Sequence, residues 1–505
     1  MKKKYALLLL FVAVKFILQY SIIGPQFELH RDEFLHIDQG RHLAWGYFSV
    51  PPFTSWTSAV LLFLGGSVFW VKFFPALFGA LTLFLVWKII DLLDGKLFAT
   101  ALGLTAVTFS ALLRLNMLYQ PNSADIFFWT LLFYFLTAYS KSKNSKWLLY
   151  SAVAVAFGFL NKYNILFLLI GLVPAMLIAN REIFTNKWLY FSAVLAMVLV
   201  LPNLYWQYAH NFPVIAHMKE LQETQLVNFS RGDFLKEQLF FFFGSIYVLI
   251  AAFIAFFRNP QFKPYRFLFW TYVFTIALFI YCSAKGYYSV GLYPVLIAFG
   301  AVYLESILHN RVGKFLKPVL LICPVVFFFL IIKLAYPVLS PEQMAERSSS
   351  DKAKMHRWED GKEHLLSQDF ADMLGWSELA GKVDAAYLSL ADKQNTLIIC
   401  DNYGEAGAVN FYTKVQGLRA VSMNADYINW FPDWPVQNLI LIKETADDEK
   451  NPMPARQAFG EVRLMDSVTS PYARERATVI YLCTKPKFDI RPFIEKERHK
   501  RLGKP

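Results

Sequence analysis

Long apolar runs set the rhythm of the first two-thirds of the chain. Between positions 5 and 337, stretches rich in Leu, Phe, Val, Ile and Ala recur, each bounded by a short polar interruption. Many approach the roughly 20 residues a helix needs to cross the hydrocarbon core. Hydropathy predicts spans at about 5–23, 74–92, 97–113, 124–140, 147–160, 164–180, 188–205, 236–257, 267–283, 290–307 and 316–337, about eleven in all. The run "FTSWTSAVLLFLGGSVFW", behind Pro51 and Pro52, is short and Gly-interrupted. It is expected to lie in the interface or re-enter rather than cross. From about Ser340 the pattern changes. Strand-like "NTLIICD", "VQNLILI" and "ATVIYLC" alternate with helical stretches such as "HLLSQDFADMLGWSELAGKVDAAYLSL", which predicts a small α/β domain outside the membrane. The expected organisation is an α-helical polytopic membrane domain over 1–340, with a first outer loop at 24–73, and a soluble α/β domain over 341–505. No internal repeat or low-complexity tract interrupts it.

Composition agrees. Of 505 residues, 56% are hydrophobic and only 17% charged, against the quarter or so usual in soluble domains. A basic "MKKK" precedes the first run, as in a signal peptide. No small-residue cleavage pattern follows, so a retained first helix is expected. The net charge of +12 does not point to nucleic acid, because the basic residues fall largely in short loops and no nucleic-acid module is present. "MKKK", "KSKNSK", "RNPQFKPYR" and "HNRVGKFLK" share one side, which the positive-inside rule makes cytoplasmic. The opposite side receives the opening stretch, "RLNMLYQPNSAD", "NKYN", the long loop from about 206 to 235, "SAKGYYS" and the C-terminal domain. Four cysteines are too few for a disulfide framework or a zinc site with paired CxxC motifs. Cys400 and Cys483 each end a strand-like run, which leaves one disulfide open.

The densest ionisable cluster follows the first span. "HRDEFLHIDQGRH" holds His30, Arg31, Asp32, Glu33, His36, Asp38, Arg41 and His42. Carboxylates beside a bilayer are costly unless solvated, paired or used, and this cluster can largely neutralise itself. If helical, it puts Asp32 and His36 on one face and turns Glu33 elsewhere. A polar helix start with two acids near its N-terminus is the structural alternative. Asp125 stands at the outer mouth of the fourth span, where an N-cap is the simple role. Lys285, with Tyr287 and Tyr288, sits in a later outer loop, where Lys and Tyr also serve as interfacial anchors. In "NLYWQYAHNFPVIAHM", Tyr205 and Trp206 could stack on a sugar or on lipid, and His210 and His217 are two lone histidines seven apart. Lys15 and Lys333 lie inside spans and either snorkel or face the bundle. "CDNYGEAGAVNFY" reads as strand, turn and helix, without a phosphate-binding fingerprint.

Taken in order, "RDEFLHIDQGRHLAWGYFSVPPFTSW", "NSAD", "GFLNKYNILFLL", "PNLYWQYAHNFPVIAH" and "KGYYSVGLYPVLIAFGA" resemble glycosyltransferase family 39. That group holds protein O-mannosyltransferases and lipid A aminoarabinose transferases within the GT-C membrane glycosyltransferases. Their order and shared outer side, over roughly 1–340, carry the resemblance. It implies a GT-C bundle with an appended extra-cytoplasmic domain, in a bacterial inner (plasma) membrane. The sugar donor would be polyprenyl-phosphate-linked, and the acceptor a lipid, glycan or protein hydroxyl or phosphate. By position, Asp32 matches the acidic residue taken as catalytic and Glu33 completes the pair. Asp125 matches a supporting acid, and Lys285 a cationic position that would meet the donor phosphate, with Tyr287 and Tyr288 beside it and Arg31 or Arg114 helping to neutralise the charge. Asp32 would act as base in an inverting displacement. The resemblance fixes no cofactor; a divalent metal in the outer loops is an option whose ligands the residues do not mark.

A lipid or glycolipid transporter is the alternative class, and would favour inverted repeats and midplane charges. Apart from Lys15, the notable charges collect on one outer face, which favours an interfacial enzyme. A scaffold merely anchored in the membrane needs far fewer spans.

Overall fold

The computed structural model describes residues 2–224, 230–350, 356–359, 361–444 and 453–502. The end of the basic tail and part of the 206–235 loop lie outside these. Through the apolar two-thirds the chain forms α1 (Lys2–Ser21), α2 (Arg31–Gln39), α3 (Phe53–Phe63), α4 (Val68–Leu92), α5 (Leu97–Thr108), α6 (Ala111–Leu115), α7 (Asn122–Ser142) and α8 (Lys146–Asn161). There follow α9 (Ile165–Ala179), α10 (Lys187–Ala209), α11 (Pro213–Thr224), α12 (Arg231–Phe240), α13 (Ile246–Arg258), α14 (Phe267–Tyr281), α15 (Tyr293–Ile307) and α16 (Arg311–Ala335).

Each of the eleven expected spans coincides with helix. Among the described residues, five segments, namely α1, α4, α10, Gly286–Ile307 around α15, and α16, are long and apolar enough to cross a bilayer outright. Arg231–Phe240 with Phe243–Arg258 makes a sixth, bent by 55°. The apolar α5, α8, α9 and α14 are shorter. At 1.5 Å per residue, the 11 residues of α3 reach about 16 Å, too short to cross. The long loop expected from 206 to 235 is a correction: it contains the end of α10, all of α11 and the start of α12. Asn211 and Phe212, both at positive φ, break the chain between α10 and α11.

Two compact units divide the chain. The first comprises Met1–Ile23, Ala44–Thr57 and Leu64–Val338. Its centre is α15, buried over most of its length, whereas α1, α10 and α16 are mostly exposed, as lipid-facing helices are. Small residues let helices touch backbone to backbone: Gly171 of α9 faces Thr275 of α14, and Gly300 of α15 faces the Val248 carbonyl of α13. Lys15 is 3% exposed and does face the bundle, donating to Gln19 at 3.3 Å.

The second unit comprises Gly24–Leu43, Ser58–Phe63 and Leu339–Pro505. Here α17 (Pro341–Ser349) leads to a hairpin of β1 (His356–Arg357) and β2 (Glu363–His364), then to α18 (Gln368–Ala371) and α19 (Trp376–Leu388). Next come β3 (Thr396–Cys400), α20 (Tyr403–Tyr412), β4 (Ala420–Ser422), β5 (Asn438–Lys443), α21 (Met453–Ala458), β6 (Phe459–Ser467), β7 (Val479–Pro486) and α22 (Arg491–Arg501). The sheet runs β4-β3-β5-β7-β6. Its first three strands are parallel and the last two antiparallel. Parallel strands need both faces covered, which explains the continuous apolar runs of β3 and β5. Cys400 and Cys483 are buried and free. β5 lies between their strands, so two strand spacings, about 10 Å, separate them, beyond the reach of a disulfide.

Candidate active site

The cluster after the first span folds as a capped helix packed on the C-terminal segment. His30 is the N-cap of α2, its Nδ1 accepting from the Asp32 backbone N–H at 3.2 Å. Glu33 reaches back to accept from the His30 N–H at 2.6 Å, which closes a capping box. Asp38 accepts from Asn410 at 2.7 Å, Tyr427 at 2.8 Å and Arg41 at 3.2 Å. Burial pushes its carboxyl up, and these donors with Arg419 hold it back. His36, also buried, is bonded to Gln39 at 3.1 Å, and burial pushes its pKa down. His42 stacks on Trp430. Glu33 is 2% exposed and the Asp38 side chain 4%. The Asp32 side chain is 39% exposed, so of the three carboxylates it is the one that presents itself.

Asp32 Oδ1 accepts from the Tyr403 hydroxyl at 2.6 Å. Burial would push the Asp32 carboxyl up. His30, the Tyr403 hydrogen bond, Arg31 and His36 outweigh it and keep the group below the usual carboxylate range. The Arg31 guanidinium lies over the Tyr403 ring, 4.5 Å from its centroid, in the field of Glu475, Asp372 and Asp32. Asp372 in turn meets Arg474 at 3.3 Å. Beneath this layer Glu405, Glu444 and Glu475 bring one oxygen each within 4.8 Å of one another. These oxygens are engaged: Glu405 accepts from the Asp401 and Asn402 N–H groups, and Asn402 Nδ2 donates to both Glu444 and Glu475. Burial and mutual repulsion favour the protonated form of Glu405 and Glu475. Burial, then Glu475, Glu444 and Asp401, push Glu405 far up. Burial is also the first cause at Glu475, opposed by Arg31 and Arg474 and raised further by Glu444 and Asp372, to about 7.

The first unit holds the remaining candidates. Asp125 sits in the first turn of α7 but does not cap it; Pro121 is the N-cap position. Asn164 bridges instead, donating at 2.9 Å to Asp125 Oδ2 and at 2.9 Å to the Tyr288 carbonyl. Lys162, in the turn between α8 and α9, donates to Asn122 at 2.8 Å and lies 4.4 Å over the Tyr288 ring and 5.2 Å over Tyr287. It feels both the Asp125 carboxylate and the Lys285 ammonium. Asp125, Lys285, Tyr287 and Tyr288 therefore gather around Lys162 and Asn164. Sequence reasoning passed over these two; the signal was a lone cation between two apolar runs in "NKYN". Tyr205, at the end of α10, is 70% exposed. Trp206 packs against Gly46 and stacks on His210, so it is half committed to the fold. Among the described residues, His210 and His217 join no group of three metal-ligating side chains.

Residues 49–206 match the family described as dolichyl-phosphate-mannose-protein mannosyltransferase. A curated relative, the lipid A galacturonosyltransferase RgtD of Rhizobium johnstonii, is 23% identical over 212 residues, 39% of this chain and 44% of that protein. The match thus spans less than half the relative's length. Two crystal structures of ArnT from Cupriavidus metallidurans superpose over 94% of this chain and 97% of theirs. The one bound to undecaprenyl phosphate gives a TM-score of 0.60 at 13% identity, and the apo form 0.61 at 14%. The fold is that of these ArnT structures, a helical bundle with a C-terminal sheet domain. In sequence and architecture the chain resembles the mannosyltransferase and lipid A transferase group that its motifs suggested.

Proposed function

We propose that this protein moves a sugar from a polyprenyl-phosphate carrier to a hydroxyl or phosphate of a lipid, glycan or protein at the outer face of a bacterial inner membrane, with inversion. The observation that carries the reading is Asp32, a carboxylate kept ionised and partly exposed where its neighbours Glu33 and Asp38 are sealed by hydrogen bonds. A group with those properties suits a general base. The acceptor oxygen attacks the sugar's anomeric carbon and its proton passes to Asp32. The bond from that carbon to the phosphate oxygen breaks, and its electron pair leaves with the phosphate. Cations are needed to stabilise the departing phosphate. Lys285 and Lys162 take that role, with Tyr287 and Tyr288 beside them and Asp125 holding the cluster through Asn164. Arg31, which lies over the Tyr403 ring in the field of Glu475, Asp372 and Asp32, is a further cation for the phosphate beside Lys285 and Lys162. Glu33 holds the helix start. Tyr205, His210 and, less directly, Trp206 and His217 belong to a surface that could meet sugar or acceptor.

The relative named for lipid A transfer and the fold neighbour bound to undecaprenyl phosphate support a polyprenyl donor and favour a glycolipid acceptor. In this reading 1–340 is the membrane domain, with its N-terminus cytoplasmic, and 341–505 is extra-cytoplasmic. The 55° break at α12 and α13 is a feature a transporter would share. The test separates the two. Purified protein and its Asp32→Asn variant are given labelled polyprenyl-phosphate sugars and a membrane extract as acceptor. Asp32-dependent loss of label from one donor is expected. Wild-type turnover by the variant refutes Asp32 as base, and donor binding without any turnover favours transport.

A further inference from the structure

We propose that Tyr403, carried on the C-terminal segment 371 residues away from Asp32 in sequence, is the positioning residue for that carboxylate. The inference rests on Asp32 being the base, and it gives the C-terminal segment a part in the active-site machinery.

Four observations support it. The Tyr403 hydroxyl donates to Asp32 Oδ1 at 2.6 Å, a short bond of the charge-assisted kind. The phenol is built to remain a donor, since burial pushes its pKa far up and Asp32 itself pushes it further, against the opposing pull of Arg31. Its backbone is fixed: Asn402 caps α20 by accepting from the Gly404 and Glu405 N–H groups at 2.8 and 3.1 Å, and Glu405 closes the capping box. Finally, α20 comes this close to α2 because two of its facing residues, Gly404 and Gly407, are glycines. A Cβ on Gly404 would lie 2.5 Å from Arg31 Cγ, and one on Gly407 would overlap Phe34. The same approach seats Arg31 over the Tyr403 ring, so the tyrosine holds both the reacting carboxylate and its neighbour Arg31. His30 constrains the other side, 3.9 Å from Asp32 Oδ2.

A tyrosine needed only for packing and one that tunes a base predict different pH behaviour. An ionised base loses activity as pH falls through its pKa. Removing a donor to the carboxylate raises that pKa, so the acidic limb of kcat/KM should move to higher pH. Charge-assisted bonds of this kind correspond to a shift of about one to two pH units. The experiment measures that limb for the full-length enzyme, Tyr403→Phe, and a form carrying 3-fluorotyrosine at 403. Phe should move the limb up and lower kcat more than it raises KM for the donor. The fluorinated phenol, a stronger donor of nearly the same shape, should move it down. A limb unmoved by the fluorotyrosine overturns the proposal even if Tyr403→Phe fails to fold. Asp32→Asn, measured alongside, separates the two ideas. If it keeps wild-type turnover, the base assignment has failed. If it is inactive and neither Tyr403 substitution moves the limb, the base stands and the positioning role falls.

Discussion

Gly407→Ala isolates the close approach of α20 to α2. Gly407 is an interior helical position, where alanine would ordinarily be favoured by about 1 kcal/mol. Here the new Cβ would overlap Phe34 Cβ, lie 2.6 Å from Tyr427 Oη and 3.2 Å from the Phe34 carbonyl carbon. Non-bonded carbons settle at roughly 3.5–4.0 Å, and two of these obstacles are too near the backbone to swing aside. The helix must back away from α2 by about 1 Å. Overpacking of this kind costs about 1–3 kcal/mol. Displacing Tyr427, which donates to the buried Asp38 at 2.8 Å, adds about 1.5–3 kcal/mol. After the helix-propensity gain, a net local loss of about 1.5–5 kcal/mol is expected, which corresponds to amide exchange in α20 faster by about ten- to several-thousandfold. Hydrogen–deuterium exchange on the full-length protein reads this directly. Gly381→Ala in α19 is the control: nothing lies within 4 Å of its Cβ, so only the propensity gain applies and exchange there should slow. If Gly407→Ala exchanges no faster than wild type, the tight α2–α20 contact is refuted.

Two further outcomes follow from the buried charges. Glu475 is raised from 4.5 to about 7, first by burial, so the folded chain holds this proton more tightly than the unfolded one. That contribution is fully present below about pH 4.5 and is lost as pH rises toward 7. Glu475→Gln should therefore stabilise the second unit at pH 8 relative to wild type and change little at pH 5, as urea unfolding followed by exchange would show; an equal effect at both values refutes the titration. Lys162→Met should lower kcat by roughly a hundredfold, the usual order for losing one group that stabilises developing charge. Unchanged single-turnover rates on a polyprenyl-phosphate sugar would remove Lys162 from the site.

Much of the architecture was legible because it is written in local patterns. Eleven apolar runs are helical, and "NTLIICD", "VQNLILI" and "ATVIYLC" are β3, β5 and β7, since strands covered on both faces leave continuous apolar runs. β4 went unseen at three residues. β6 went unseen because "FGEVRLMDS" is an exposed edge strand, charged as such edges tend to be. The pairing of Asp32 and Glu33 at a helix start was readable; their division of labour was not. It depends on which carboxylate the His30 N–H selects and on a hydroxyl hundreds of residues downstream. No window of sequence contains that contact. The same holds for Lys162, whose partners come from α7 and the turn at Gly286–Leu292.

The grouping of Gly24–Leu43 and Ser58–Phe63 with Leu339–Pro505 bears on how such chains can be recombined. A swap of the C-terminal segment between relatives, cut once near position 339, would separate Phe34 from Trp376, Phe411 and Tyr412, against which its ring packs. It would also pair Asp32 with a stranger's helix. Inheritance of this unit is two-part: a short N-terminal insert and a distant tail must travel together, or a chimera receives Asp32 without the tyrosine that donates to it.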